Sequence, residues 1–374
     1  MNAKIEPNIA RLEPALDAAG IDVLLLRSGE NFTYLTQIVY PGTLARHLDL
    51  AGSRRAVVLV WPRRGKPEIV LNDFAAGLTR LRSTLPLTLY EGYRDDPYEA
   101  LGKRLVELGF GGATIGFEAG YVGDSDAATL RKHLPKARWQ DVTALMDRVR
   151  WVKTPSEIAL LKRAADLLDE AYLRSFPTIR PGDTERQVHA RITKECLELG
   201  FESLHGILNS HRNPVIYNGE GDTRFERGDL VRTDYICYLQ GYPGHQSRNA
   251  VLGPPAAEIR DTYRKVRDVY GLLMERVKSG VVVGALYDFV RAEFARRGLT
   301  YQSLLIGHSV GAWFHQQEPI LRRGSTIELE AGMVLALEPY YESYHIQDMV
   351  VVEDGGCRLL SDRFDTRELF VIDT

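Results

Sequence analysis

The hydrophobic positions along the chain follow different patterns on the two sides of residue 150. Before it, short apolar runs at residues 23–26, 56–61 and 68–71 alternate with stretches of helical periodicity. Such alternation is typical of an α/β layer domain. The glycine-rich residues 110–113 lead directly into a strand pattern. We therefore interpret them as a turn and not as a phosphate-binding loop.

A strong helix start marks the beginning of a second domain. Thr154 is suited to cap a helix, Pro155 to occupy its first position, and Glu157 to complete a capping box. Apolar residues then recur at three- and four-residue steps, which predicts one long amphipathic helix. The sequence thus predicts two domains, residues 1–150 and residues 151–374.

The second domain contains an internal repeat of a helix pair. The interval from a turn at Gly182 to Gly200 equals the interval from a turn at Gly280 to Gly298. Segments of β character separate the two pairs, which indicates a duplicated unit of two helices and an antiparallel sheet. The predicted fold class is an α/β N-terminal layer domain followed by an α+β C-terminal domain, with a site between its two halves.

Polar residues interrupt several predicted strands of the second domain. Asp234 and His245 fit a hairpin with a turn at residues 239–240, which would place the two side chains directly opposite each other on one sheet face. The two side chains could bind one metal ion together, or they could form an ion pair with each other. His308 and Glu338 each lie at the end of a strand. An ionised carboxylate there is costly unless it is paired or ligates a metal.

Composition narrows the class of protein. The 374 residues include 47 basic and 50 acidic side chains, and the net charge of −3 gives no basic excess for nucleic acid or an anionic membrane. No segment approaches the ~20 apolar residues that span a bilayer, and the first residues lack a secretory pattern. Three cysteines without a CxxC pair encode neither a disulfide framework nor a thiolate zinc site. We expect a soluble, cytoplasmic protein that acts on a small molecule.

A serine hydrolase is a competing interpretation. Residues 307–311 fit the G-x-S-x-G pattern, which would make Ser309 a nucleophile. That pattern should lead directly into a helix, whereas the segment that follows is a poor helix former. We do not expect Ser309 to act as the nucleophile.

Several segments, in family order, resemble the creatinase/prolidase/aminopeptidase P group, known as the pita-bread superfamily. They include VKTPSEIALLKRAA, GYPGHQSRNAVLG, GHSVGAWFHQQEP, GMVLALEP and IQDMVVVEDGG, and DVLLLRSGENFTYLT resembles the start of the group's N-terminal domain. The resemblance implies a pita-bread C-terminal domain and a hydrolase of C–N bonds. It also implies a homodimer in which Arg46, His47 or Trp61 could border the partner's pocket.

Peptidases of this group are similar to one another in five ligands that hold two divalent ions. Carried over by motif, these positions are Asp234, His245, His308, Glu338 and Gln347, so a histidine and a glutamine replace the two carboxylates that bridge the metals. The two remaining carboxylates balance one divalent cation, and we do not expect a dinuclear centre. We expect either a single Zn, Fe or Mn ion held by Asp234, His245, His308 and Glu338, or a metal-free site as in creatinase.

The predicted activity is hydrolysis of an amide or amidine-like C–N bond in a small polar substrate. The expected catalytic residues are His308, His315, Tyr217 and Glu338, and the expected substrate-binding residues are Arg212, Arg248, Tyr340 and Gln347. His205, His211 and His345 are assigned to loops or to positions around the site. Two alternatives remain open, namely a lyase acting on a small zwitterion with Tyr217 as the base, and a non-catalytic binding protein.

Overall fold

The computed structural model describes residues 4–40, 55–215 and 221–373, and the chain divides into two compact units. One unit spans Pro7–Arg150, and the other comprises Met1–Glu6 and Trp151–Thr374. The described helices are α1 Ile9–Ala19, α2 Glu30–Thr36, α3 Asp73–Arg82, α4 Pro97–Glu107, α5 Asp124–His133, α6 Thr143–Trp151, α7 Pro155–Ser175, α8 Glu185–Glu198, α9 Ala257–Met274 and α10 Val283–Arg296. None of these helices is both long and apolar enough to cross a membrane.

The strands number sixteen in the described part of the chain. They are β1 Val23–Arg27, β2 Val57–Pro62, β3 Glu68–Asn72, β4 Leu87–Tyr90, β5 Thr114–Phe117, β6 Arg138–Asp141, β7 Ser203–Ser210, β8 Leu230–Leu239, β9 Tyr242–Gln246, β10 Asn249–Leu252, β11 Leu305–Ser309, β12 Gln317–Arg322, β13 Val334–Leu337, β14 Asp348–Val352, β15 Cys357–Leu359 and β16 Phe370–Ile372.

The Pro7–Arg150 unit is built on one six-stranded mixed sheet. Its strand order is β4-β3-β2-β1-β5-β6, and the apolar runs predicted from the sequence form β1, β2 and β3. All five residues of β1 are buried, as expected for a central strand covered on both faces. The glycine-rich residues 110–113 connect α4 to β5 as a turn, in agreement with the prediction.

The predicted helix pairs and the capping box are present in the other unit. The side chain of Thr154 accepts a hydrogen bond from the backbone of Glu157, and the Glu157 carboxylate accepts one from the backbone of Thr154. The second helix of each pair, α8 or α10, has 14 residues. The four glycines that bracket these helices all have positive φ, from 74° to 101°. The turns before and after each helix therefore share the same left-handed backbone conformation, which glycine favours.

Two five-stranded sheets complete the C-terminal unit. One has the order β16-β10-β8-β7 with β9 paired to β8, and the other has the order β12-β11-β13-β14-β15. A backbone bridge between Ser247, which follows β9, and Gln347, which precedes β14, connects the two sheets. The sheets carry the polar strand residues toward a common region.

The predicted hairpin register is wrong, although the predicted sheet face is right. The turn between β8 and β9 lies at Gln240 and Gly241, whose φ values of 50° and 76° suit a type I′ turn, and His245 therefore faces Ile236 across the ladder instead of Asp234. The register differs by two residues. Since side chains alternate with a period of two, Asp234 and His245 still share one face.

Strand β9 packs closely against helix α7. A Cβ atom on Gly244 would lie 2.6 Å from the backbone oxygen of Ala164, so only glycine permits this approach. The strand that carries His245 is thereby fixed against the helix that opens the unit.

Candidate active site

A cavity of about 470 Å³ opens between the two sheets of the C-terminal unit. Most of the predicted polar strand residues converge on it. Its polar lining is formed by His205, Asp234, His245, Ser303, His308, His315, Gln316, Glu338 and Tyr340. The mixture of carboxylates and imidazoles gives the cavity both proton acceptors and possible metal ligands.

The two carboxylates of the cavity are each paired with histidines. Nε2 of His245 lies 3.1 Å from Oδ1 of Asp234. Nε2 of His308 lies 3.5 Å from Oε1 of Glu338, and Nε2 of His345 lies 3.3 Å from the other oxygen of the same carboxylate. All five side chains are buried in this unit.

A compact set of possible metal ligands includes a histidine that was not predicted. Among the residues that the structure describes, one group of three His, Cys, Asp or Glu side chains places its ligand atoms all within 4.8 Å of one another, and it consists of Asp234, Glu338 and His345. His245 and His308, which the sequence predicts to be ligands, lie beside the two carboxylates of this group, and their assignment as ligands stays a prediction.

The surroundings drive the two carboxyl groups toward different protonation states. Burial opposes ionisation of Asp234, but the hydrogen bond and charge of His245 hold the pKa of Asp234 well below its usual range. Burial and the ionised Asp234 raise the pKa of Glu338 well above its usual range. Pairs of carboxyl groups separated in this way are typical of sites that carry acid and base chemistry.

The imidazoles of His308, His315 and His345 are neutral at pH 7. Burial lowers the pKa of His308 and the pKa of His345 to about 3. Burial and the neighbouring His245 lower the pKa of His315 to about 2. The rings form a continuous cluster, since the ring centroids of His245 lie 5.2 Å from His308 and 4.9 Å from His315.

The tautomer of His308 follows from its backbone contact. Its Nδ1 lies 3.0 Å from the carbonyl oxygen of Ser309, so Nδ1 carries the proton and donates it. The other nitrogen, Nε2, is therefore unprotonated and faces Glu338. His308 is in the form that can accept a proton or bind a cation.

Three of the four predicted substrate-binding residues lie outside the cavity lining. Arg212 forms a two-bond ion pair with Asp229 at 2.7 and 2.8 Å. Gln347 is fully buried, and its side-chain oxygen accepts a hydrogen bond from the hydroxyl of Ser247. Arg248 is also fully buried and contacts carboxylates described below. Tyr340 does line the cavity, and its contact with a substrate stays a prediction.

Ser309 occupies a structural position. Its hydroxyl is fully buried, receives a hydrogen bond from Nζ of Lys153 at 2.7 Å and donates one to the carbonyl of Val334. It ends a strand and does not line the cavity, so the serine nucleophile is not supported. Tyr217, Arg46 and His47 lie outside the described residues.

Sequence reasoning missed two histidines of the cavity region. His345 was assigned to a position around the site, but it reaches the Glu338 carboxylate. A signal was present, because His345 precedes Gln347 by two residues and alternation places both on one face of an extended segment. His205 lies on β7 at the exposed edge of the cavity, and its ring centroid is 5.2 Å from that of His315.

Two similar helix-pair and sheet units around a buried cluster of carboxylates and histidines define a pita-bread enzyme. Residues 159–354 match the model of metallopeptidase family M24, and residues 8–152 match that of the creatinase/prolidase N-terminal domain. The M24 match covers more than half of the chain, and the chain belongs to this family.

Known proteins with similar sequences and structures are named as peptidases. The chain is 25% identical over 295 residues to the Xaa-Pro dipeptidase of Pyrococcus furiosus, covering 76% of this chain and 81% of that protein. It is 27% identical over 357 residues to the "Probable dipeptidase PepE" of Mycobacterium tuberculosis, covering 90% and 89%. The recombinant prolidase of Thermococcus sibiricus superposes with a TM-score of 0.84 at 21% identity, with 100% of both chains covered.

These matches confirm the predicted superfamily and fold class. They also confirm that the chain is a hydrolase of the creatinase/prolidase group. The family uses divalent metal ions, and the Asp234, Glu338 and His345 group is the candidate location for one in this chain.

Proposed function

We propose that this chain hydrolyses an amide or amidine-like C–N bond of a small polar substrate held in the histidine-lined cavity. The observation that carries the proposal is the convergence on one cavity of Asp234, whose pKa is lowered, Glu338, whose pKa is raised, and the unprotonated Nε2 of His308. Hydrolysis requires a base for the attacking water and an acid for the leaving nitrogen. The cavity supplies both.

The residues fit one divalent ion and not two. Nε2 of His345 is buried without a hydrogen-bond partner and lies 3.3 Å from Glu338, so this nitrogen could ligate an ion in the tautomer that carries its proton on Nδ1. Asp234 and Glu338 together supply two negative charges, enough to balance a single divalent cation. Asp234, Glu338 and His345 would hold the ion, with His245 and His308 beside the two carboxylates. When bound, such an ion would acidify a water molecule and polarise the scissile carbonyl.

We assign the proton transfers of the reaction to His308 and Glu338. Nε2 of His308 accepts the proton of the attacking water, because Nδ1 already donates to the carbonyl of Ser309. Glu338 lies 3.5 Å from that nitrogen and relays the proton to the leaving nitrogen. The C–N bond breaks as the nitrogen is protonated, and the water oxygen remains on the acyl product.

Two further histidines position and stabilise the reacting groups. His245 holds the Asp234 carboxylate through the 3.1 Å contact. His315 borders the same cavity as a neutral imidazole, and its ring N–H donates to the oxygen that becomes negative in the tetrahedral species. Tyr340 forms part of the wall against which the substrate packs.

The choice of substrates to test comes from the relatives. Those named above are Xaa-Pro dipeptidases and a dipeptidase, so a panel of Xaa-Pro dipeptides is tested beside N-acyl amides and cyclic amidines. The products formed from this panel in ¹⁸O-labelled water are identified by mass spectrometry.

The same proposal includes a cytoplasmic homodimer. Sedimentation velocity would test the dimeric state.

The deciding variant is His308→Ala. We expect it to lower kcat/KM by about 100-fold or more for any substrate found in the panel, because it removes the general base. His133→Ala is the matched control, since His133 pairs with Glu99 in the other unit and should leave turnover unchanged. Unchanged turnover in His308→Ala would refute the assigned role.

The two other activities give different results in the same assay. A lyase would release product without ¹⁸O, and a binding protein would retain a ligand without converting it. Either result would exclude hydrolysis as the function of the cavity.

A further inference from the structure

Arg232 is a buried cation next to the candidate metal ligands. It lies on β8 two residues before Asp234, on the same face of the strand, and is 2% exposed. Its Nε and Nη1 atoms have no hydrogen-bond partner. No carboxylate oxygen of the described residues lies within 4.0 Å of its guanidinium. A buried charge in this condition is costly, so its presence at this position calls for a reason.

The polar contact that Arg232 does make is with His345. Nη2 of Arg232 lies 3.4 Å from Nδ1 of His345, and the guanidinium lies 5.7 Å from the ring centroid of Tyr340. A guanidinium can only donate, so Nδ1 of His345 must accept. A neutral imidazole then carries its proton on Nε2, which is the nitrogen that faces Glu338. In this tautomer, Nε2 of His345 cannot bind a metal ion.

Arg232 also alters the charge balance of the group. Asp234 and Glu338 supply two negative charges, and Arg232 supplies one positive charge within the same buried region. A divalent ion added to these three groups leaves an excess of one positive charge. Because buried charges are weakly screened, the excess lowers the affinity of the site for a cation.

Arg232 is not placed to bind the substrate. Its guanidinium does not contribute to the lining of the cavity, whereas Tyr340, whose ring it approaches, does. Its effect therefore passes through His345 and through its charge.

We propose that Arg232 is a positioning residue that restrains metal occupancy of the Asp234, Glu338 and His345 group. Its positive charge opposes a divalent ion near the two carboxylates, and its contact with Nδ1 holds His345 in the tautomer that does not ligate. The inference rests on the proposed one-ion site. It predicts that removal of this buried arginine improves metal binding, whereas the loss of a merely structural residue would weaken it.

The test compares three forms of the full chain after chelator treatment. Arg232→Met removes the charge and keeps most of the volume, and Arg232→Lys keeps the charge. Zn²⁺ and Mn²⁺ are titrated calorimetrically, and the bound ion is counted by inductively coupled plasma mass spectrometry. We expect the Kd for metal to fall about tenfold or more in Arg232→Met and to stay within about threefold of wild type in Arg232→Lys. Circular dichroism and a thermal melt confirm that each variant is folded, and Arg232→Gln replaces Arg232→Met if the latter fails to fold.

The outcomes separate this inference from the proposed function. If wild type binds one ion and the neutral variants bind it equally well or more weakly, the inference is wrong while the one-ion site stands. If wild type binds no ion and a neutral variant binds one, the inference stands and the metal form of the proposed function fails. Failure of all forms to bind either ion overturns the inference.

Discussion

Two buried arginines of the C-terminal unit, Arg232 and Arg248, differ in how their charges are balanced. Nε of Arg248 donates to Asp169 at 2.9 Å, and its Nη2 lies 2.7 Å from a carboxylate oxygen of Asp169 and 2.7 Å from one of Asp348. Arg232 has comparable burial but contacts only the neutral His345 among the polar groups described around it.

Arg248 also fixes the backbone where the two sheets meet. Its Nη1 donates to the carbonyl of Ser247 at 3.0 Å and to that of Gln347 at 2.6 Å. These two residues form the backbone bridge between the sheets. Arg248 therefore joins α7, β14 and the sheet junction, and its role is structural.

The comparison teaches that burial alone does not reveal the role of a charged residue. A buried cation with two carboxylate partners is held in place by those partners, and it stabilises the fold mainly because its removal would leave them unpaired. A buried cation without such partners contributes little that the fold would lose. Its retention points to the chemistry of its neighbours, in this case His345 and the carboxylates.

The largest expected effect is on the paired arginine. Arg248→Met should lower the free energy of unfolding by about 3–5 kcal/mol, because it leaves the carboxylates of Asp169 and Asp348 buried without a cation. Urea denaturation followed by circular dichroism measures the change. Arg358→Met is the control, since Arg358 and Glu353 are about half exposed and their ion pair should contribute under about 1 kcal/mol. A loss of under about 1 kcal/mol in Arg248→Met would contradict the structural role.

A smaller and pH-dependent effect is expected at the carboxyl group near the unpaired arginine. The pKa of Glu338 is raised in the folded protein, so its contribution to stability is present below the unfolded-state pKa and is lost as pH rises through the folded pKa. Glu338→Gln does not titrate and avoids this loss. In the presence of a chelator, the variant should match wild type near pH 4 and exceed its stability by about 1 kcal/mol or more at pH 9.

Asp229→Asn provides the control of opposite sign. The pKa of Asp229 is lowered, because its hydrogen bonds with Arg212 and the backbone outweigh the effect of burial. Its stabilisation is therefore present at neutral pH and is lost as pH falls through the folded pKa. The deficit of this variant should shrink on acidification, whereas the gain of Glu338→Gln grows on alkalinisation. Parallel pH profiles for the two variants would contradict both assignments.

Local sequence signals predicted the framework well. The capping box at Thr154 and Glu157 and the equal glycine intervals depend on neighbouring residues, and both are present. The hairpin face was also predictable, because the side-chain period of two survives a register error of two. The turn itself was predicted one residue too early. Gln240 adopts a positive φ, and a glutamine in the sequence does not indicate such a conformation.

The partners of the charged residues could not be read from the sequence. Arg248 was predicted to bind substrate because it follows a site motif, but its partner Asp169 lies on α7, far away along the chain. Arg232 and His345 are likewise far apart in the sequence, so their contact could not be predicted from it. A charged residue within a predicted strand indicates that an opposite charge or a hydrogen-bonding group must lie near it. Only the tertiary structure identifies that group.

The smallest expected effect is on the stability of the unpaired arginine variant. Arg232→Met should change the free energy of unfolding by less than about 1 kcal/mol in the presence of a chelator, because no carboxylate loses a direct partner and methionine keeps most of the side-chain volume. The same denaturation experiment measures it beside Arg248→Met. A loss as large as that of Arg248→Met would show that the fold depends equally on both cations. The difference between the two arginines would then lie only in geometry, and the argument that Arg232 is retained for the metal ligands would lose its basis.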